Sequence, residues 1–185
     1  PKSMKFEEVD LSEVVNIVVS RHQDLAKSRD IELSSIIMTH GLVHGNATAL
    51  DQVVTNLVKN AINYTPAHKD GKVVVEVSRA PTGGVAVSVS DTGIGIAQKD
   101  LYHIFEPFYR ADTSRARGVG TGAAGIGLAI VNEIVRLHHG TITVRSALNH
   151  GTTVKVTLPA SANAGEQTPL MSASGSPHEA TLDFS

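Results

Sequence analysis

The chain has 185 residues, 41% of them hydrophobic and 18% charged, a composition that suits one ordinary domain with a tail and excludes a second full domain. Sixteen Lys and Arg against eighteen Asp and Glu leave a formal net charge of -2, so no broad cationic field gathers nucleic acid or anionic lipid, and any bound anion must be held locally. With no cysteine, disulfides, thiolate metal sites and cysteine nucleophiles are excluded together.

No apolar stretch approaches the ~20 residues that cross a bilayer, and the segment from Pro1 to Glu8 lacks the basic and apolar regions of a signal peptide. The expectation is a soluble, cytoplasmic, monomeric fragment of a longer protein, without direct membrane contact. Four Phe, three Tyr and no Trp mean that the core is built from Val, Ile, Leu and Ala.

Asp10 followed by Glu13 is a capping-box arrangement, and Leu11, Val14, Val15, Val18 and Leu25 repeat at helical spacing, which predicts a helix from about 11 to 29. Asn46 can cap a second helix whose apolar stripe runs through Leu50, Val53, Val54, Leu57, Val58, Ala61 and Ile62 and stops before Pro66. Val73, Val75 and Val77, then Val85, Val87 and Val89, alternate on either side of Thr82-Gly83-Gly84 and predict a hairpin. A third helix is expected from Gly125 to His139, stopped by Gly140. Thr141 to Arg145 and Thr152 to Leu158 read as a closing hairpin.

This order predicts an α+β fold: a two-layer sandwich of a mixed, mostly antiparallel sheet of about five main strands, with three helices on one face. Residues 1–159 form the domain. Beyond Pro159 the composition turns to Ser, Ala, Gly, Pro and Thr, and residues 160–185 are expected to be a disordered tail. The stretch from Arg110 to Ala124, with three arginines and three glycines, has the length and composition of a mobile lid or binding loop.

Chemistry-bearing groups fall at the ends of these elements. Asn56, Asn60 and Asn63 share one stripe bordering the apolar face of the second helix, where an amide must find a partner or can offer an oxygen to a hard cation such as Mg²⁺. Asp91-Thr92-Gly93-Ile94-Gly95 directly follows a strand; Asp91 either closes a local Asx turn or accepts from a ligand amino group. Gly120-Thr-Gly122-Ala-Ala-Gly125 matches a dinucleotide fingerprint by spacing. The polar run ahead of it is no strand, so NAD is not indicated, while a glycine loop opening a helix still suits phosphate. No P-loop motif is present. Phe105-Glu-Pro-Phe108-Tyr109-Arg110 is either a hydrophobic plug or a hinge for the lid, and Arg110, Arg115 and Arg117 are either solvated charges or phosphate clamps.

Taken in order, this set resembles the N, G1, F, G2 and G3 boxes of the sensor histidine kinase catalytic domain, within the ATPase superfamily that also holds gyrase, Hsp90 and MutL. The resemblance spans about Lys5 to Pro159 and rests on Asn56-Leu-Val-Lys-Asn60-Ala-Ile-Asn63-Tyr64-Thr-Pro, Phe105 to Arg110 and Gly125-Ile-Gly127-Leu128-Ala-Ile. It implies ATP and Mg²⁺ as cofactors, with Asn60 on the metal and Asn60, Arg110 and Arg115 acting in catalysis. The nucleotide would be bound by Asn56, Asn60, Tyr64, Asp91, Gly93, Gly95, Ile96, Gly120, Gly122, Gly125, Gly127, Leu128 and Thr152, with Asp91 on the adenine amino group.

Its implied partners are a dimerisation and phosphoacceptor domain of the same protein and a response regulator, and its implied parent is a homodimer in the bacterial plasma membrane. Three departures stand out: Asn63 replaces a usual Lys or Arg, the lid reads GVGTGAAGIGL where GGTGLGL is usual, and Val154 takes a position that is commonly Phe, a packing change of little functional weight.

Hydrolysing relatives place a Glu one turn before the metal-binding Asn. Here Asn56 stands there, and an amide cannot act as a general base, so transfer to a histidine is favoured over hydrolysis. The other readings are an anti-sigma-factor-like serine kinase and a gyrase-type ATPase. His22-Gln23-Asp24 only faintly imitates a phosphoacceptor motif; His22 is expected to be an exposed helix histidine, and the fragment to lack its own acceptor.

Overall fold

The computed structural model describes residues 4–67, 70–111, 127–162 and 179–183. Its elements in chain order are β1 (Glu7–Asp10), α1 (Leu11–Arg21), α2 (Gln23–Lys27), β2 (Ile31–Ile37), β3 (Leu42–Gly45), α3 (Ala47–Tyr64), β4 (Gly71–Arg79), β5 (Val85–Asp91), α4 (Gln98–Leu101), α5 (Gly127–Leu137), β6 (Thr141–Ser146), β7 (Thr152–Leu158) and β8 (Glu179–Asp183). The main sheet runs β2-β4-β5-β7-β6-β8. β2 and β4 are parallel, joined through α3, and every other pair in it is antiparallel. β1 and β3 form a separate two-stranded ribbon.

Alternation decides which face each strand buries. Val73, Val75 and Val77 of β4, Val87 and Val89 of β5, Ile142 and Val144 of β6 and Val156 of β7 are all buried on one face, and α1, α3 and α5 pack there. The stripe read along α3 is buried over its whole length, from Leu50 to Ile62. Each such side chain contributes about 1.5–3 kcal/mol by leaving water, which makes α3 the central beam of the helical layer. Asn46 caps it as expected, accepting the Ala49 N–H at 2.9 Å.

Three expectations are corrected and one is extended. The first helix does not run unbroken from 11 to 29: at His22 the backbone turns to φ -104°, and the ring Nδ1 lies 2.7 Å from the Val18 carbonyl, competing for the acceptor that would continue the ladder. That same contact buries His22, which is therefore not an exposed helix histidine. Asp10 does cap α1, but its Oδ1 accepts from Ser12 N and Oγ and from Gly41 N, so the carboxylate pins the β2–β3 loop as well as the helix. Within the stretch read as a disordered tail, Ser161 N bonds to Leu42 O and Glu179–Asp183 pair with β6, making a sixth strand of the main sheet.

One junction ties the helical layer together. The buried His138, just past α5, donates from Nδ1 to Ile134 O at 2.7 Å and accepts at Nε2 from the Asn46 N–H at 3.0 Å, which fixes its neutral tautomer. Phe6 stacks on its other side with centroids 4.7 Å apart. Gly45 makes the approach possible, since a Cβ there would sit 2.8 Å from the ring.

Candidate functional site

A cavity of about 780 Å³, its open mouth included, lies between α3, the ends of β5 and β7, and the segments 94–96 and 109–111. That is the size of a nucleotide-class pocket. Leu57, Ala61, Val89, Ile94, Ile104 and Val154 line it with apolar surface, and Asn60, Tyr64, Asp91, Arg110 and Thr152 bring polar groups to it.

Asp91 ends β5 where the chain leaves the sheet. Its Oδ1 accepts from Gly93 N at 2.8 Å and from Thr152 N at 3.2 Å. The first bond is the Asx turn weighed in the sequence; the second ties β5 to the start of β7. Both fall on one oxygen, and among the described residues Oδ2 carries no partner. Burial raises the Asp91 pKa to about 6, against the two backbone bonds that favour the ionised form. A partly buried carboxylate with one satisfied and one open oxygen on a pocket wall is an acceptor waiting for a donor.

The loop after Asp91 is shaped by close backbone approach. A Cβ on Gly93 would lie 2.4 Å from Tyr64 O, and one on Gly95, which has φ +69°, would lie 1.9 Å from Ala147 O. Only glycine lets this loop pass between the end of α3 and the β6–β7 connection. Ile94 N donates to Tyr64 O at 3.1 Å, and Ile96 N to Ser146 Oγ at 2.8 Å. Ser146 Oγ in turn donates to Gly151 O and lies 2.8 Å from Thr152 Oγ1. This buried hydroxyl, which no motif flagged, holds the loop and Thr152 in one network.

Asn60 faces the same space from α3, and no described residue hydrogen-bonds its amide. Among the described residues no group of three or more His, Cys, Asp or Glu could hold a metal ion. Asn60 thus brings an amide to the cavity wall. Asn56, one turn earlier, does not line the cavity; its Nδ2 makes a long 3.5 Å contact to Gly127 O, placing it under the start of α5.

The structure thus gathers Asn60, Tyr64, Asp91, Gly95, Ile96, Arg110, Leu128 and Thr152 around one cavity. Gly93 shapes its loop from behind, and Gly127 lies against Asn60, its Cβ position 3.7 Å from Nδ2. Arg115, Gly120, Gly122 and Gly125 lie outside the described residues. Val154, read as a packing change, lies on the cavity wall. Ile104 and Ser146 also belong to the site, and carry no sequence pattern that separates them from core and turn residues. The Phe-Tyr-Arg run was noticed only for its arginine and aromatics.

The profile of the histidine kinase-, DNA gyrase B- and HSP90-like ATPases matches residues 45–162. The chain belongs to that family. Within it the resemblance is to sensor kinases. SenX3 of Mycobacterium tuberculosis, a sensor-like histidine kinase, is 39% identical over 154 residues, covering 83% of this chain and 36% of SenX3. The sensor histidine kinase RppB of Synechocystis is 39% identical over 151 residues, 80% of this chain and 32% of RppB. The chain therefore spans about a third of the length of these relatives.

The catalytic domain of histidine kinase ThkA superposes with a TM-score of 0.70 at 28% identity, covering 84% of this chain and 96% of that one. Full-length ShkA, solved in complex with AMPPNP, superposes with a TM-score of 0.70 at 26% identity, covering 85% of this chain and 31% of its own. The fold is that of an ATP-binding catalytic domain of a sensor histidine kinase. Among the described residues no helix is long and apolar enough to cross a membrane.

Proposed function

We propose that this domain binds Mg-ATP in the cavity above β5 and β7 and transfers the γ-phosphoryl group to a histidine on a separate phosphoacceptor domain of its parent, for relay to a response-regulator aspartate. The observation that carries the reading is Asp91: a partly buried carboxylate whose Oδ1 is held by Gly93 and Thr152 and whose Oδ2 is open on the wall of the cavity. An exocyclic amino group of adenine supplies the missing donor. That ShkA was solved with an ATP analogue on the same fold supports the same ligand here.

The apolar walls from Leu57, Ala61, Ile94 and Val154 sandwich the base and exclude water from the Asp91 bond, which strengthens it. Asn60, across the cavity, offers its oxygen to Mg²⁺, which neutralises developing phosphate charge when bound. Arg110, at the mouth, reaches toward the phosphates; Arg115 and the glycines of the 118–127 stretch serve the same end. Leu128 lies in the first turn of α5, whose N-terminal dipole end favours anionic groups.

Asn56 separates transfer from hydrolysis. Its amide, under Gly127, cannot take a proton from water, whereas an incoming imidazole brings its own lone pair: the N–P bond forms as the bond between the γ-phosphorus and the bridging oxygen breaks, and ADP leaves. The parent is then a homodimeric membrane sensor with this domain on its cytoplasmic side. Calorimetric titration of the chain with ATP, with and without Mg²⁺ and with Asn60→Ala, tests the site: binding that strengthens with Mg²⁺ in the wild type but not in the variant supports it, and absence of ATP binding removes it.

A further inference from the structure

Nine residues beyond Asp91, a second acidic side chain bears on the same cavity without lining it. Asp100, in the short α4, is 3% exposed. Its Oδ1 accepts from the Tyr109 hydroxyl at 2.5 Å, and its Oδ2 is buried with no hydrogen-bond partner among the described residues. A buried carboxylate oxygen left without a partner costs free energy. Its one side-chain partner lines the cavity, and so does the next residue, Arg110.

The backbone between them is held out of its resting conformation. Phe108 has φ +64° and is 72% exposed, so a bulky aromatic sits in the left-handed region with its ring in solvent, where no packing compensates it. That reversal turns the chain so that Tyr109 points back to Asp100 and Arg110 to the cavity. Strain of this kind persists only where neighbouring contacts over-determine it, and the Asp100–Tyr109 bond, with Tyr109 N donating to Glu106 O at 3.2 Å, supplies that constraint.

We infer that Asp100 is a positioning residue of the nucleotide site: through Tyr109 it locks the strained turn at Phe108 and so presents Arg110 to the cavity. This rests on the proposed nucleotide site. Asp100 touches no nucleotide; it acts through the tyrosine and the arginine.

The test is calorimetric Mg-ATP affinity of the chain and its Asp100→Ala, Asp100→Asn, Tyr109→Phe and Arg110→Ala variants, together with the two doubles Asp100→Ala/Arg110→Ala and Tyr109→Phe/Arg110→Ala, each checked for folding by its melting transition. Asp100→Ala and Tyr109→Phe are each expected to weaken binding on the order of tenfold, the scale of one hydrogen bond to a charged group. In the Arg110→Ala background neither should weaken it further, and Asp100→Asn, which keeps an acceptor for Tyr109, should recover most of the loss. If Asp100→Ala does not fold, the Tyr109→Phe cycle alone decides. Wild-type affinity in folded single variants, or equal losses with and without Arg110, overturns the inference while leaving the site standing. A wild-type chain that binds no ATP overturns both.

Discussion

The carboxylate of Asp91 and the backbone N–H of Thr152 lie 3.2 Å apart, so the last residue of β5 and the first of β7 are bonded at the floor of the cavity through the group proposed to read adenine. The group proposed to recognise adenine is thereby also a tie between two strands.

Asp91→Asn separates the two. The asparagine oxygen can keep both backbone bonds, while the exposed oxygen becomes an NH₂ donor facing the base. ATP affinity is expected to fall by at least about tenfold, the loss of one hydrogen bond to a charge, whereas inosine triphosphate, with a 6-oxo acceptor, loses less or gains. Competition titration with the two nucleotides measures the switch. Removing a buried charge should also raise the melting temperature of the nucleotide-free domain at neutral pH.

The same carboxylate sets a pH dependence. Its pKa in the folded chain, about 6, is above the ordinary aspartate value of 3.8, so the folded state holds a proton that the unfolded state has released between those values. The stability this confers is fully present below 3.8 and lost as pH rises through about 6, an effect of about 3 kcal/mol. Nucleotide binding runs the other way, because it needs the ionised oxygen: affinity should fall as pH drops through about 6. Thermal melts and ATP titrations across pH 4.5–8 should show opposite slopes from this group, and parallel slopes would refute the assignment.

His138 should produce an acid-side loss of stability. Burial is the main cause that lowers its pKa, helped by His139 and opposed by the Ile134 carbonyl. The neutral ring is favoured in the folded state, so its contribution is present above the ordinary histidine pKa of 6.5 and is lost as pH falls below it toward the lowered value. His138→Ala leaves the Asn46 N–H without its acceptor and should cost about 1–3 kcal/mol in urea denaturation while flattening this part of the pH profile.

Much of this was legible in the sequence because its signals were periodic or compositional. The α3 stripe, the valine alternation of β4 and β5 and the closing β6–β7 hairpin are strong patterns, and each element formed near its expected bounds. What escaped was set by tertiary contact. β1 and β3 are four residues each and are defined by pairing with one another, and β2 is recognisable as a strand mainly by its parallel pairing with β4. The break at His22 depends on a side chain reaching a carbonyl four residues back. At the site, Asn60 and Asp91 were readable because unusual residue types stood at element ends. Ser146 and Asp100 were not, since their meaning comes from buried bonds to residues that are neighbours in space only.

Asn56 gives a further test. Asn56→Glu places a potential base one turn before Asn60, next to the start of α5. Steady-state ATP hydrolysis, expected near background in the wild type, should rise in the variant, on the scale of 10²-fold that general-base catalysis supplies when well placed.

The most direct measurement follows γ-labelled ATP in the presence of this chain, Mg²⁺ and a separately prepared phosphoacceptor domain of a sensor kinase carrying the matching histidine helix. The account predicts acid-labile, base-stable label on that domain's histidine, dependent on Asp91 and Asn60, and little free phosphate when the acceptor is withheld. Rapid release of free phosphate without acceptor, with no label transferred when it is present, would contradict it.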